Sequence, residues 1–179
     1  RMLILMLNRR QWTTVFVLAA SALTLGTGVH AQGHWTKAAD FPEPMEETHS
    51  VAANGKLYVM GGFLPPGIAP GIVYEYDPSS DKWTKRKNMP RPMHHMAMAE
   101  YRGKIYVMGG ASSSQSSGFY NRVEEYDPTL DTWVIKSPMP TARSASTGAA
   151  VGGKIYVFGG YNLEQTFDTV EEYDPVNNT

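Results

Sequence analysis

Three eight-residue segments of the chain share one pattern of apolar residues, and each ends in two glycines. They span 55–62, 103–110 and 153–160 and read GKLYVMGG, GKIYVMGG and GKIYVFGG. Both alternate sets of residues within each segment are apolar, which predicts a β-strand buried on both faces. The second copy begins 48 residues after the first, and the third begins 50 residues after the second. A period of this length is typical of stacked repeat units.

Further short segments predict three more strands in each repeat. Small, half-apolar stretches predict first strands at 50–53, 98–101 and 148–151, each joined to the next strand by a tight turn containing glycine. Third strands are predicted where Asp-Pro follows, at 73–76, 123–126 and 170–173. Fourth strands are predicted from Trp83 and Trp133, each seven residues before a proline. Trp35 and Pro42 have the same offset, which predicts an isolated fourth strand over 34–42.

A four-stranded antiparallel sheet that is apolar on both faces has to stack between similar sheets, which is the arrangement of blades in a β-propeller. We therefore predict an all-β fold with about three blades, at 43–90, 91–140 and 141–179. Propellers close with about 4 to 8 blades. We expect the chain to be a fragment of a larger, six-bladed ring, with a tryptophan as the next residue. In the alternative, two chains close such a ring by exchanging a strand, and open blade faces allow self-association.

The first 31 residues have the layout of a secretory signal peptide. Arg9 and Arg10 precede a mostly apolar run over 13–25, and a small-x-Ala site at 29–31 predicts cleavage before Gln32. A transmembrane helix is the alternative, but it needs roughly 20 apolar residues and this run is shorter. We expect a periplasmic or extracellular protein without a membrane anchor. Export through either the general or the twin-arginine pathway fits the residues.

Composition narrows the candidate chemistry further. The chain has no cysteine, which excludes disulfides, thiolate metal sites, cysteine nucleophiles and a lipoprotein anchor within these residues. Its 17 acidic residues outnumber its 16 lysines and arginines, so no nucleic-acid partner is expected. No phosphate-binding loop, dinucleotide motif or nucleophile elbow is present. We predict no cofactor, no metal and no catalytic residues.

The repeats resemble those of the Kelch family. The matching features are the Gly-Gly pair that ends the second strand, Tyr-Asp-Pro after the third, tryptophan at the start of the fourth, and a Met-Pro or Phe-Pro exit. The resemblance covers 35–179 and implies a Kelch-type β-propeller. The family's arginine after the exit is matched by Arg143, whereas Arg91 lies two positions earlier in its repeat. The first repeat has Met45 and Glu46 in this region.

Two exported or bacterial Kelch enzymes bear on the function. The repeats and the export signal resemble the N-acetylneuraminate epimerase (mutarotase) type, which is an analogy of fold. The propeller of galactose oxidases is also similar, but its copper-radical cofactor requires a cysteine that this chain does not contain. The leading prediction is a non-catalytic binding module for a protein or glycan. The alternative is a carbohydrate-active enzyme of the epimerase type.

One end of the predicted stack collects the candidate ligand-binding residues. Connections in an antiparallel blade alternate between its two ends, so the loops from second to third strand share an end with the links between blades. The candidates there are Arg91, His94, His95, Tyr120, Asn121, Arg143, Ser144, Tyr161 and Asn162. We expect the arginines to anchor a carboxylate; the alternative is that they tie neighbouring blades together.

Three of these interpretations had competing structural readings. Adjacent histidines on an extended segment point to opposite sides, so His94 and His95 are expected not to share a metal. The aromatic-plus-amide pairs at 120–121 and 161–162 suit a sugar, but the tyrosines could equally pack between blades. Glutamates recur at one repeat position, where they could be catalytic; we expect instead that they pair with a cation on the adjacent strand. These glutamates are Glu75, Glu125 and Glu172.

Overall fold

A computed structural model describes residues 33–112 and 118–179 of the chain. The predicted signal peptide, residues 1–31, lies outside these ranges. The chain divides into a short unit, 1–36, and a unit over 37–179 that holds every described strand. The strands are β1 (His49–Ala53), β2 (Lys56–Met60), β3 (Val73–Asp77), β4 (Lys82–Arg86), β5 (Ala97–Tyr101), β6 (Lys104–Met108), β7 (Val123–Asp127), β8 (Thr132–Lys136), β9 (Thr147–Val151), β10 (Lys154–Phe158) and β11 (Val170–Tyr173).

The strands form three antiparallel sheets, one for each repeat. The first has the order β1-β2-β3-β4, the second β5-β6-β7-β8 and the third β11-β10-β9. Every pairing joins strands that are consecutive in the chain. Within the described residues no helix is long and apolar enough to cross a membrane. The predicted all-β fold of propeller blades is confirmed, and below the three sheets are called blades 1, 2 and 3.

The blades stack face to face because each central strand is apolar on both sides. Met60 of blade 1 packs with Ile105 of blade 2 in one buried cluster. Met108 of blade 2 packs with Ile155 of blade 3 in the next. Burial of one such side chain contributes about 1.5–3 kcal/mol to stability. The strands β1, β5 and β9 also contact one another in that order, which aligns the blades along one edge.

The second glycine of each Gly-Gly pair lets the link between blades approach the sheet. Gly62, Gly110 and Gly160 have φ values of 83°, 94° and 88°. A Cβ atom at these positions would lie 2.6–2.9 Å from a backbone carbonyl oxygen of Glu46, His94 or Ser144. Such contacts are too short for any side chain, and left-handed φ values favour glycine as well. These glycines therefore determine where the links meet the loops.

The segment 34–42 differs from its predicted conformation, because the structure has no strand there. It is instead attached to blade 1 through Ala39, whose amide donates to Asp81 Oδ1 at 2.8 Å and whose carbonyl accepts from Trp83 Nε1 at 3.1 Å. The ring of Phe41 packs edge-on against Trp83. A fourth strand requires the edge of a third strand, and the described residues place none beside this segment.

Candidate functional site

One end of the stacked blades carries all the longer connections, and we call it the loop end. Isolated β-bridges join each link to the following loop, pairing Glu46 with Phe63, His94 with Ala111, and Ser144 with Tyr161. This confirms the prediction that links and second-to-third strand loops share an end. The opposite end, the turn end, carries the short turns inside each blade. The loop end comprises the links at 41–48, 87–96 and 137–146 and the loops at 61–72, 109–122 and 159–169.

The adjacent histidines at the loop end face each other, so the prediction that they point to opposite sides is wrong. Nδ1 of His94 lies 2.5 Å from Nδ1 of His95. The prediction assumed an extended backbone, but His95 has a φ of 53°, which rotates its side chain back towards His94. The ring centroid of His49 lies 6.3 Å from that of His95. The fold thus gathers three histidines that are distant or adjacent in sequence.

The hydrogen bonds of this cluster determine its protons. Nε2 of His94 lies 2.8 Å from the carbonyl oxygen of Ser112, which can only accept, so Nε2 donates. Burial holds the pKa of His94 below its usual value, so His94 is neutral and its Nδ1 accepts from His95. Nε2 of His95 lies 3.1 Å from Oε2 of Glu47 and donates to it. His95 is therefore an imidazolium that joins two successive links.

The histidine cluster is not arranged as a metal site. Among residues 33–112 and 118–179, no group of three or more histidine, aspartate or glutamate side chains is positioned to hold a metal ion. The facing nitrogens of His94 and His95 are occupied by their mutual hydrogen bond. Phe63 covers His94, with ring centroids 4.4 Å apart. This arrangement can exchange protons and can present a positive charge at His95.

Arg143 is placed differently from the prediction that it anchors a ligand, because its side chain has no accessible surface. Its guanidinium donates to the carbonyl of Gly159 at 3.0 Å, to Thr169 Oγ1 at 3.0 Å and to Glu171 Oε1 at 2.5 Å. All of these acceptors belong to blade 3, so the contacts stabilise that blade. Ser144 is buried beside it and is likewise inaccessible.

Arg91 is exposed at the loop end. Its guanidinium carbon lies 5.2 Å from the ring centroid of Tyr120, which is the geometry of a cation–π contact. Tyr120 is half-buried beneath it. Nδ2 of Asn121 donates to the carbonyl of Met139 at 3.0 Å and so fixes the loop to the next link. Of these three predicted site residues, Arg91 has its charged group in solvent.

Tyr161 is also exposed, with 41% of its surface accessible. Its ring lies edge-on to Phe119 at 5.5 Å. The Oδ1 atom of Asn162 accepts from the amides of Glu164 and Gln165, so this side chain shapes the loop. The sequence reasoning did not select Phe119 or the exposed Leu163, although apolar residues in polar loops were a usable signal.

The glutamates that recur in the repeats form ion pairs inside the blades, as expected. Oε1 of Glu75 lies 2.5 Å from Nζ of Lys56, and Oε1 of Glu125 lies 2.8 Å from Nζ of Lys104. Both carboxylates also accept a tyrosine hydroxyl from the adjacent strand. In blade 3 the lysine is closer to Asp174, at 2.8 Å, than to Glu172, at 3.9 Å. These groups have structural partners and are separate from the loop end.

Comparison with known proteins identifies the repeats. No curated protein matches the chain at the level of sequence. A solved structure described as "Structure of YjhT" superposes with a TM-score of 0.68 at 22% sequence identity, covering 79% of this chain and 53% of the other. The chain thus spans about half the length of that structure, and the similarity concerns the fold. A family model described as "KLHDC2/KLHL20/DRC7 Kelch-repeats domain" matches residues 30–179. The chain belongs to the Kelch-repeat family.

Proposed function

We propose that the chain is an exported, non-catalytic binding module whose partner docks at the loop end. The observation that carries this proposal is a continuous set of contacts between exposed side chains on a rigid support. Arg91 lies over Tyr120, the neighbouring Phe119 contacts Tyr161, and Leu163 follows with 72% of its surface exposed. Stacked sheets hold the loops that carry these residues. Variable loops on a rigid scaffold are a common means of building a binding surface.

The residue types at this surface suit a protein partner. Tyrosine and arginine are enriched among the residues that dominate binding energies at protein interfaces. An exposed guanidinium forms bidentate hydrogen bonds with carboxylates, so an acidic segment is a suitable ligand for Arg91. Kelch-repeat domains commonly mediate protein interactions, which supports the same class of partner. A glycan that stacks on Tyr161 is the second class that the surface could accept.

Export rests on the sequence of residues 1–31, where basic, apolar and small residues follow one another. The absence of cysteine is compatible with an oxidising compartment. We therefore place the partner in the periplasm or outside the cell. The alternative activity, a sialic-acid epimerase, stays a prediction from sequence, since similarity of fold does not specify a reaction.

A comparison of the two ends tests the proposal. Wild-type chain, the loop-end variant Arg91→Ala/Tyr161→Ala and the turn-end control Leu130→Ala are immobilised and exposed to secreted host proteins and to a glycan array. Leu130 is 69% exposed, so its truncation tests a surface change of similar size. A true partner binds the wild type and the control alike and binds the loop-end variant at least about tenfold more weakly. Equal binding to all three proteins would refute a loop-end site.

A further inference from the structure

The outward face of blade 3 has the residues of a covered blade face but is open to solvent. Equivalent valines in the three blades, Val73, Val123 and Val170, are 0%, 1% and 58% exposed. In blades 1 and 2 the following blade covers this position, as part of the two buried clusters. Val151 on the same face is 66% exposed. The sequence thus retains on blade 3 the apolar residues that elsewhere receive another blade.

The edge of β11 is the second open feature of blade 3. In blades 1 and 2 the third strand pairs with a fourth, and Trp83 and Trp133 lie opposite Tyr76 and Tyr126. The third sheet has three strands among the described residues, and β11 is at its edge. An unpaired edge presents a row of backbone donors and acceptors that can bind another strand.

A cleft between blades 2 and 3 corresponds to the position of a missing tryptophan. Trp83 donates to the carbonyl of Ala39 and packs against Phe41 and Tyr76, with ring centroids 4.9 and 4.8 Å away. The residues at the same repeat positions around blade 3 are Ser137, Met139 and Tyr173. All three line a cleft of about 200 Å³. The cleft therefore has the walls that surround a fourth-strand tryptophan in blade 1.

The segment 34–42 carries the sequence that fits this cleft and edge. Trp35-Thr36-Lys37 repeats Trp83-Thr84-Lys85, and a proline follows seven residues after each tryptophan. Trp35 is 97% exposed, and the segment forms no strand in this structure. Ala39 is bound to blade 1 through the same two hydrogen bonds that bind Lys87 to blade 2. Residues 34–38 thus lead into blade 1 as β4 leads into blade 2.

We propose that two copies of the chain associate head to tail and exchange this segment. Residues 34–38 of one copy pair with β11 of the other, and Trp35 fills the cleft beside Tyr173. The outward face of blade 1 then covers the outward face of blade 3. Tyr58 contacts Tyr126 and Tyr106 contacts Tyr173 across the existing interfaces, with centroids 6.1 and 5.9 Å apart. The next pair in this series is Tyr156 and Tyr76 of the second copy.

A second copy is a better occupant than the same chain. Three blades are fewer than the roughly 4 to 8 that close a propeller, so one stack does not bring its own two ends together. Two stacks of three blades make six, which lies inside that range. Repeating the same contact twice closes the ring with two-fold symmetry and leaves no open face. This inference does not depend on the function proposed for the loop end.

Disulfide trapping between two single variants tests the exchange directly, because the native chain has no cysteine. The register of β3 with β4 pairs Glu75 with Thr84, which places Thr36 opposite Glu172. Full-length Thr36→Cys and Glu172→Cys are mixed and oxidised, with Thr36→Cys and Ser79→Cys as the control mixture. We expect a disulfide-linked heterodimer in the first mixture and not in the control. Equal cross-linking in both mixtures, or none in the first, would overturn the proposal.

Two further measurements separate the second copy from other occupants. Light scattering on the full chain should give twice the monomer mass of 19.8 kDa. Trp35→Ala should raise the dimer dissociation constant by about tenfold or more, whereas Leu130→Ala should not. The circular dichroism of each variant shows whether it remains folded. A folded monomer, or a double Thr36→Cys/Glu172→Cys variant that links only within one chain, would contradict the exchange.

Discussion

The carboxylate of Asp131 accepts a hydrogen bond from the backbone amide of Lys87, which lies 2.9 Å away in the link that leaves blade 1. The same oxygen accepts the hydroxyl of Tyr126 at 2.7 Å. Asp131 thus connects two blades through a single atom. Its φ of 53° also turns the chain into β8, and aspartate tolerates this conformation better than most residues.

Each repeat contains the same three-part connection. In blade 1, Asp81 Oδ1 accepts from the amide of Ala39 and the hydroxyl of Tyr76. In blade 3, Asn178 Oδ1 accepts from the amide of Ser137 at 2.8 Å and the hydroxyl of Tyr173 at 2.7 Å. Asparagine therefore performs this role within the same molecule, which supplies a natural control for mutation.

We predict that Asp131→Ala lowers the free energy of unfolding by about 2 kcal/mol, while Asp131→Asn lowers it by less than about 1 kcal/mol. Alanine leaves the Lys87 amide and the Tyr126 hydroxyl without their acceptor and is strained at a left-handed φ. Asparagine keeps an acceptor oxygen and tolerates that φ. Urea denaturation of both variants measures the difference. Equal losses would mean that the charge, rather than the hydrogen-bond geometry, stabilises the connection.

The ion pairs inside the blades predict a loss of stability in acid. Burial raises the pKa of Glu125, but hydrogen bonds from Lys104 and Tyr106 and the charge of Lys136 outweigh it, so the pKa lies below 4.5. The unfolded chain then binds more protons than the folded chain as the pH drops below 4.5. The free energy of unfolding is therefore full above this pH and falls as the pH approaches the pKa of the folded state.

Glu125→Gln should flatten that part of the stability profile, because it removes the titrating group. Denaturant unfolding between pH 3 and pH 6 measures the slope for the wild type and the variant. Glu164→Gln, on an exposed loop residue, is the matched control and should keep the wild-type slope. If the two glutamine variants have the same slope, the acid sensitivity originates at other carboxylates.

The strands, the blade architecture and the separation of loops from turns were predictable because they follow from local, repeated patterns. The alternation of apolar residues fixes both buried faces of β2, β6 and β10, and antiparallel order fixes which connections share an end. The pairing of Glu75 and Glu125 was predictable for the same reason, since it recurs with the repeat. Repetition gave several observations of each local rule.

Features that break the repeat were not predictable from the sequence. Nothing in the residues around His95 indicates a left-handed φ, so the contact with His94 was missed. Arg143 is buried because Thr169 and Glu171, more than 20 residues later, supply its partners. The segment 34–42 has the sequence of a strand, but strand formation depends on an available edge. In each case a partner distant in the sequence decides the outcome.

The histidine cluster predicts pKa shifts of opposite sign in two variants. Burial lowers the pKa of His49 below 6.5, and the nearby charges of His95 and His94 lower it further, whereas Glu47 raises it. His95→Ala should therefore raise the pKa of His49, and Glu47→Ala should lower it. NMR titration of the imidazole resonances measures both. Shifts in the same direction would mean that a change in burial, rather than charge, dominates.

The same lowered pKa values determine how the cluster affects stability. The unfolded chain protonates His49 and His94 near pH 6.5, while the folded chain does so at lower pH. Their contribution to the free energy of unfolding is thus full above about pH 6.5 and falls as the pH drops through the folded pKa values. A His49→Asn/His94→Asn variant should show a shallower decline between pH 6.5 and pH 5. An unchanged slope would assign the decline to other groups.

Arg143 and Arg91 should respond in opposite ways to truncation. Arg143→Met leaves the carboxylate of Glu171 largely buried without its cation, and such a loss costs roughly 3–5 kcal/mol. Methionine already occupies the equivalent position in blade 2, where Met93 is fully buried, so the shape of the side chain is tolerated. Adding Glu171→Gln should recover part of the stability, because the variant no longer buries an unpaired charge. Arg91→Ala should leave the melting temperature nearly unchanged, since its guanidinium is exposed, and should weaken binding at the loop end. If Arg143→Met instead spares stability and weakens binding, then Arg143 reaches the ligand and the roles of the two arginines are reversed.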